Sequence, residues 1–278
     1  MIKRISIESL AGFLFSGRAK ERTLAILDCW MDESSDKTGA VLFSVGAVIG
    51  TVEKWQWIES EWRTVLKQEG LKYFRANDCA ALTGQFLKFR SNRHKVTPAE
   101  KRKAESVRHK LLEIIGDSRV TGVGMSIDMA AFRAAANTPE KLEAFGGTPY
   151  YHCYFLAMAL CAELIKEHRP GDSVAYGFDD HQEYGAHLRN VFEDFKKVNP
   201  KIAPHMTTIA SFDDKLVVAL QVADLIASIV RKFNLWTIAK PRPSRPYEMR
   251  VLERNHIMGI MRLCGKPCLD AFLKDKGF

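Results

Sequence analysis

The spacing of apolar and polar positions changes repeatedly along this chain, and the changes mark its elements. Residues 23–31 (TLAILDCWM) are apolar enough for a central strand, and the cluster Asp32-Glu33-Ser34-Ser35-Asp36 that follows reads as a turn. Residues 40–50 (AVLFSVGAVIG) form a second strand, and the short connection implies an antiparallel hairpin. Thr51 can cap a helix whose Trp55, Ile58, Trp62 and Val65 recur at helical spacing. Residues 70–97 are polar and irregular, and a basic helix follows from about Pro98 to Ile115. A third strand (119–127), a loop from Asn137 to Pro149 and an apolar helix (150–167) come next. Strand 173–178, helix 182–197, strand 206–210 and helix 214–233 then alternate. Residues 238–247 hold three prolines among arginines and read as an extended tether, and a short helix near 248–263 closes at Gly265.

With the two helices between strands two and three set aside, the order is β-β-β-α-β-α-β-α. That order predicts an α/β fold with a mixed sheet, led by an antiparallel hairpin and carrying a helical insertion. The expected division is one domain over 20–235, with the basic helical insertion over about 51–117, then a tether and C-terminal helix over 236–278. Ligands in such sheets gather at strand ends, so acids there are the ones to follow.

The helix LVVALQVADLIASIV is apolar nearly all round, and its only polar side chains, Gln221, Asp224 and Ser228, share one face. Asp224 therefore belongs in or beside the core, where an unpaired carboxylate costs several kcal/mol. It must be neutralised, paired with a cation or used to bind a metal. Asp28 and Asp32 lie on one face of the first strand, about 13 Å apart at ~3.3 Å per residue, so one small site cannot use both. Asp32, at the strand end, is the better candidate. Glu33 points elsewhere unless the turn returns it. The fourth strand also ends in acids, Asp179 and Asp180, followed by His181.

Charge adds a periphery to this picture. The 278 residues carry a net charge of +8, and 46% hydrophobic residues are enough for a sizeable core. Residues 85–110 alone hold nine Lys or Arg against two Glu, and the basic runs at 1–20 and 238–250 leave the remainder net acidic. An acidic body with basic attachments suits a protein that meets a polyanion, with Lys88, Arg90, Arg93, Lys95, Lys101, Arg102 and Lys103 as the nucleic-acid-binding candidates. Six scattered cysteines fit a reducing compartment, and the lone Cys264-x3-Cys268 pair lacks the second pair of a structural zinc site. No apolar run reaches the ~18 residues of a membrane span. Glu8 and Ser9 interrupt the only stretch like a signal peptide, so the expected location is cytoplasmic.

Two motifs carry a resemblance. WMDESSD (Trp30 to Asp36) followed by FSVGAVIG, and FDDKLVVALQVADLIAS (Phe212 to Ser228), resemble the paired signatures of a bacterial and phage family catalogued as domain of unknown function 3800. That family is assigned to the ribonuclease H-like superfamily, and the resemblance spans roughly residues 24–232. It implies a ribonuclease H-like mixed sheet in which a first-strand acid, a fourth-strand acid and a last-helix acid hold divalent metal. On this sequence those positions are Asp32, Asp179 or Asp180, and Asp224, with Lys215 and Gln221 as flanking polar positions. The chain departs from the pattern at Ser35 (for glycine), Asp214 (often serine) and Arg75 (for histidine), while Asp78 is retained. No acid opens the helix at Tyr150-Tyr151-His152, so either Glu33 or Asp78 would supply a fourth carboxylate, or the site is incomplete.

The expected chemistry is metal-dependent phosphodiester hydrolysis with two Mg2+ or Mn2+ ions ~4 Å apart. Asp32 would bridge them, Asp224 and Asp179 or Asp180 would complete the ligand sets, and Lys215 would contact the scissile phosphate. His181 is a candidate proton shuttle. The alternative is a degenerate nucleic-acid-binding or scaffold protein that keeps the fold. The nuclease reading requires the three acids to approach a shared metal sphere.

Overall fold

The computed structural model describes residues 26–35, 39–92, 95–180, 185–238 and 246–278. The basic run 1–20, Arg93, His181 and most of the proline tether lie outside the described residues.

In chain order the elements are β1 (Ile26–Ser35), β2 (Leu42–Gly50), α1 (Val52–Gln68), α2 (Ala76–Ala81), a 3-10 turn (Gly84–Phe89) and α3 (Pro98–Ser118). There follow β3 (Thr121–Asp128), α4 (Met129–Ala135), α5 (Pro139–Ala144), α6 (Pro149–His168), β4 (Ser173–Asp179) and α7 (Gly185–Val198). After a short 3-10 turn (Ala203–His205) come β5 (Met206–Phe212), α8 (Val218–Ile238), α9 (Tyr247–Arg254), β6 (Met258–Cys264) and α10 (Lys266–Asp275). The six strands form one sheet in the order β5-β4-β1-β2-β3-β6. β2 runs antiparallel to β1 and β3, while β4 is parallel to β1 and β5, and β6 is parallel to β3. The class is mixed α/β.

Both faces of the central strands are covered, which is why β1 is apolar on both sides. Trp30 and Val48 face α8 and, beyond it, α1 and α3. Cys29, Met31 and Val45 face α6 and α7. The tryptophan stripe of α1 is core: Trp55, Ile58 and Trp62 are all buried.

The structure corrects several sequence expectations. The acidic cluster after residue 31 is not a turn, because β1 continues to Ser35 and Asp32 stands opposite Gly46 of β2. The last long helix starts at Val218, which leaves Asp213, Asp214 and Lys215 in the turn before it. The segment expected to be irregular holds α2 and the 3-10 turn, and the loop before Pro149 holds α5. Residues 248–263 are not one helix. They split into α9 and β6, and β6 adds an edge strand whose side chains are mostly half-exposed, so its strand character comes from pairing with β3. Cys264 and Cys268 are joined by a disulfide between the end of β6 and the first turn of α10. Among the described residues no helix is long and apolar enough to cross a membrane.

Candidate carboxylate centre at the ends of β1 and β4

The centre begins with a missing side chain. Opposite Asp32, a Cβ on Gly46 would lie 2.3 Å from the backbone nitrogen of Ala227. Glycine therefore lets the backbone of α8 rest directly on β2, and Asp224, three residues before Ala227, comes to the same end of the sheet. On the other side of β1, the parallel register sets Trp30 beside Gly177 and Met31 beside Phe178, so Asp32 and Asp179 form the next rung. A Cβ on Gly177 would meet the Trp30 ring, which shows that Gly177, Asp179, Trp30 and Asp32 share the face turned to α8.

Each acid is held by backbone N–H groups on one oxygen. Asp32 Oδ1 accepts from Glu33 N (2.7 Å), and Asp224 Oδ2 accepts from Ala76 N (2.6 Å) at the start of α2. Asp179 Oδ1 accepts from Asp180 N (3.0 Å) and Asp214 N (3.2 Å). The second oxygen of each has no hydrogen-bond partner among the described residues. Burial is the largest cause raising all three carboxyl pKa values. Asp32 is raised well above the carboxylate range, by burial and then by the charges of Glu33, Asp224 and Asp179. Burial lifts Asp224 to about 7, with Asp214 adding to the rise and Arg108 and Arg75 opposing it. Asp179 rises to about 6 through burial and the charge of Asp214.

The remaining candidates go to different places. Glu33 turns to the opposite face of the sheet, where the Tyr154 hydroxyl donates to its Oε2 (2.7 Å). Asp180 is exposed, as is Lys215, whose backbone nitrogen bonds Asp213. Asp78 accepts from the Thr83 hydroxyl (2.8 Å) and so is spent on its own loop. Gln221 is a buried bracket: its Oε1 accepts from Trp62 Nε1 (3.1 Å) and Phe74 N (2.9 Å), and its Nε2 donates to Asp214 O (3.0 Å). It ties the strand-to-helix turn before α8 to the segment carrying Arg75 and Ala76. Lys95, Lys101, Arg102 and Lys103 are exposed, Arg90 is half-buried, and the exposed Lys88 binds the Glu69 carbonyl while lying over the Phe89 ring.

Two residues absent from the expected site enter it. Asp214, only 5% exposed, forms an ion pair with Arg75, whose Nε and Nη2 donate one to each carboxylate oxygen, and its charge acts on Asp179 and Asp224. Both had been visible only as departures from the family pattern, and their opposite charges were the signal that could have joined them.

An all-oxygen donor set with one unbonded oxygen per carboxylate has the chemistry that Mg2+ or Mn2+ prefers. The spacing is a separate matter. Among the described residues no three Asp, Glu, His or Cys side chains are close enough to hold one ion, so the shared metal sphere is not met by the positions as they stand.

No family model matches the chain, so the resemblance to the family of unknown function rests on the quoted motifs alone, and no curated protein matches either. Among solved structures, a chain of the PCNA:RNase HII complex from Archaeoglobus fulgidus aligns at 12% identity over 83% of this chain and 88% of its own, with a TM-score of 0.33. What the chain is similar to at that level carries no argument about its activity, which must come from the carboxylates themselves.

Proposed function

We propose that this protein is a divalent-metal-dependent nuclease that hydrolyses phosphodiester bonds in RNA or DNA. The observation that supports this reading is the gathering of Asp32, Asp179 and Asp224 from three elements at one sheet end, where burial and neighbouring carboxylates make their ionised forms costly without a cation. These three would hold Mg2+ or Mn2+ only after their side chains draw closer together than in the structure, and their oxygens would be its ligands. Bound ions of this kind activate water and stabilise the leaving oxygen. The chain's own part is positional. Gly46 admits α8, Ala76 N orients Asp224, Asp214 N orients Asp179, and Gln221 pins the segments that carry those amides. The exposed Lys101, Arg102 and Lys103 at the start of α3 would hold a nucleic-acid backbone, with binding that weakens steeply as salt rises.

Asp32→Asn and Asp224→Asn each keep the carboxylate's shape and remove its charge. Each is expected to lower Mn2+-dependent cleavage on the order of 100-fold, with oligonucleotide binding in EDTA unchanged. Undiminished cleavage by both variants would sink the reading. The panel should cover single- and double-stranded RNA and DNA and their hybrids, because fold alone does not select among them. A second reading, a non-catalytic nucleic-acid-binding protein, is favoured by the Arg75–Asp214 pair, which already sets a cation against the acids. Binding without cleavage across the whole panel, in either metal, would establish it.

A further inference from the structure

A second polar site lies further along α8. Between α2, α3, α8 and α9 is a cavity of about 330 Å3, lined by Cys79, Lys101, Arg108, His109, Lys232 and Glu248 among others. Arg108 is only 3% exposed, yet its guanidinium is poorly satisfied. Its Nη2 makes a long bond to Ser228 Oγ (3.4 Å), and its Nε has no hydrogen-bond partner. That Nε is 3.5 Å from Glu248 Oε1, and the same oxygen is 3.4 Å from Lys232 Nζ. Two buried or half-buried cations thus share one carboxylate oxygen at the outer limit of contact. A finished ion pair is shorter and uses both oxygens, and a buried guanidinium left short of acceptors is expensive. Lys101 adds a further cation at the rim, while the exposed Glu105 is the only other acid among the described lining residues.

The position matters as much as the charge. Ser228 and Lys232 follow Asp224 by one and two helical turns, so Lys232 is about 12 Å along α8 from the carboxylate centre. α2 spans the interval, since its first N–H binds Asp224 and its Cys79 and Ala80 line the cavity. Twelve ångströms is on the order of three nucleotides at ~3.4 Å of axial rise each.

We propose that this cavity is a phosphate subsite, in which Arg108 and Lys232 receive a phosphate of a nucleic-acid strand whose neighbouring segment lies at the carboxylate centre. The path of the strand rests on the nuclease reading, whereas the phosphate chemistry of the cavity does not. Glu248 is a placeholder in this scheme. It partly occupies the cations, and an entering phosphate competes with it.

The test uses two charge-removing variants of one contact, Lys232→Gln and Glu248→Gln, in the full-length protein. Binding of a labelled ten-nucleotide single strand is followed by anisotropy in EDTA, with thermal melting as the check on folding. Lys232→Gln is expected to weaken binding about tenfold, the scale of a charged hydrogen bond, and to reduce the slope of log affinity against log salt by about 0.7. Glu248→Gln is expected to tighten binding. Opposite signs from the two partners are not produced by a packing defect. Weakening in both variants, or no change in either, overturns the proposal. Inorganic phosphate and a mononucleotide, titrated separately, distinguish the sources: millimolar competition with the strand supports the subsite, whereas affinity equal to that of the strand identifies a free-phosphate site and overturns the strand assignment. Undiminished cleavage by both Asp32→Asn and Asp224→Asn would remove the reading of the carboxylate centre and leave this binding result standing.

Discussion

Glu100 at the start of α3 and Asp32 at the end of β1 are both buried acids, 7% and 9% exposed, and their surroundings are opposite. Glu100 is surrounded by donors. Ser91 N and Ser91 Oγ both donate to its Oε1 (2.5 Å each), and Thr97 N donates to its Oε2 (2.7 Å), completing a capping box. Those bonds hold its carboxyl down to about 2. Asp32 receives one N–H, and the strongest charges around it are other carboxylates, so its carboxyl is pushed up. Low exposure is common to both, and the supply of donors and countercharge decides the sign. An acid kept for structure is satisfied within the chain. The acids at the sheet end are left in want of a cation.

The largest expected effect that sharpens this contrast is at Asp28, on the same strand face as Asp32. Its Oδ1 has no partner, and burial lifts its carboxyl from 3.8 to about 7. The folded state then binds more protons than the unfolded chain between those values, so stability falls as pH rises from about 4 to about 7. Asp28→Asn should leave stability unchanged near pH 4 and raise it at pH 8 by up to about 4 kcal/mol. Urea unfolding at the two pH values checks this, and an unchanged difference between them refutes it. Gly46→Ala comes next. The added Cβ meets the α8 backbone, so the helix must shift, at about 3 kcal/mol of stability and with loss of Mn2+-dependent cleavage. A variant with unaltered melting temperature and cleavage would break the account of how Asp224 reaches Asp32. The smallest effect is at the donor-rich end of the comparison. Glu100→Gln should destabilise the protein above pH 4.5, and the difference from wild type should vanish as pH falls through about 2, the reverse of the Asp28 slope.

Much of the sheet was legible in the chain because apolar strands and an apolar helix announce themselves by period. Asp32 and Asp224 stood out for the same reason, as charges in stretches that burial would penalise. Register was needed to separate Asp179 from Asp180, since the parallel pairing of β1 and β4 turns only the first toward α8. β6 escaped notice because its pairing partner, residues 122–127 of β3, lies more than a hundred positions away, and its own side chains alternate only weakly in burial. Asp214 and Arg75 are separated by 139 residues, and as departures from the family pattern neither pointed to the other. Asp78 and Glu33 were plausible fourth carboxylates by position, and each is directed elsewhere by one hydroxyl, that of Thr83 and that of Tyr154.

The polar stripe of α8 shows where the boundary falls. The spacing of Gln221, Asp224 and Ser228 by itself determined that the three share one face of a buried helix. Their partners were decided by tertiary structure: Gln221 meets Trp62 and Phe74, Asp224 meets the amide of Ala76, and Ser228 meets Arg108. Helical period sets directions within an element, because backbone hydrogen bonds are local. What waits across the interface depends on segments more than a hundred residues away, and only the packing of α1, α2 and α3 onto α8 brings them there. The same packing places a basic cavity beside an acidic centre, a juxtaposition to which the net charge of +8 gives no clue.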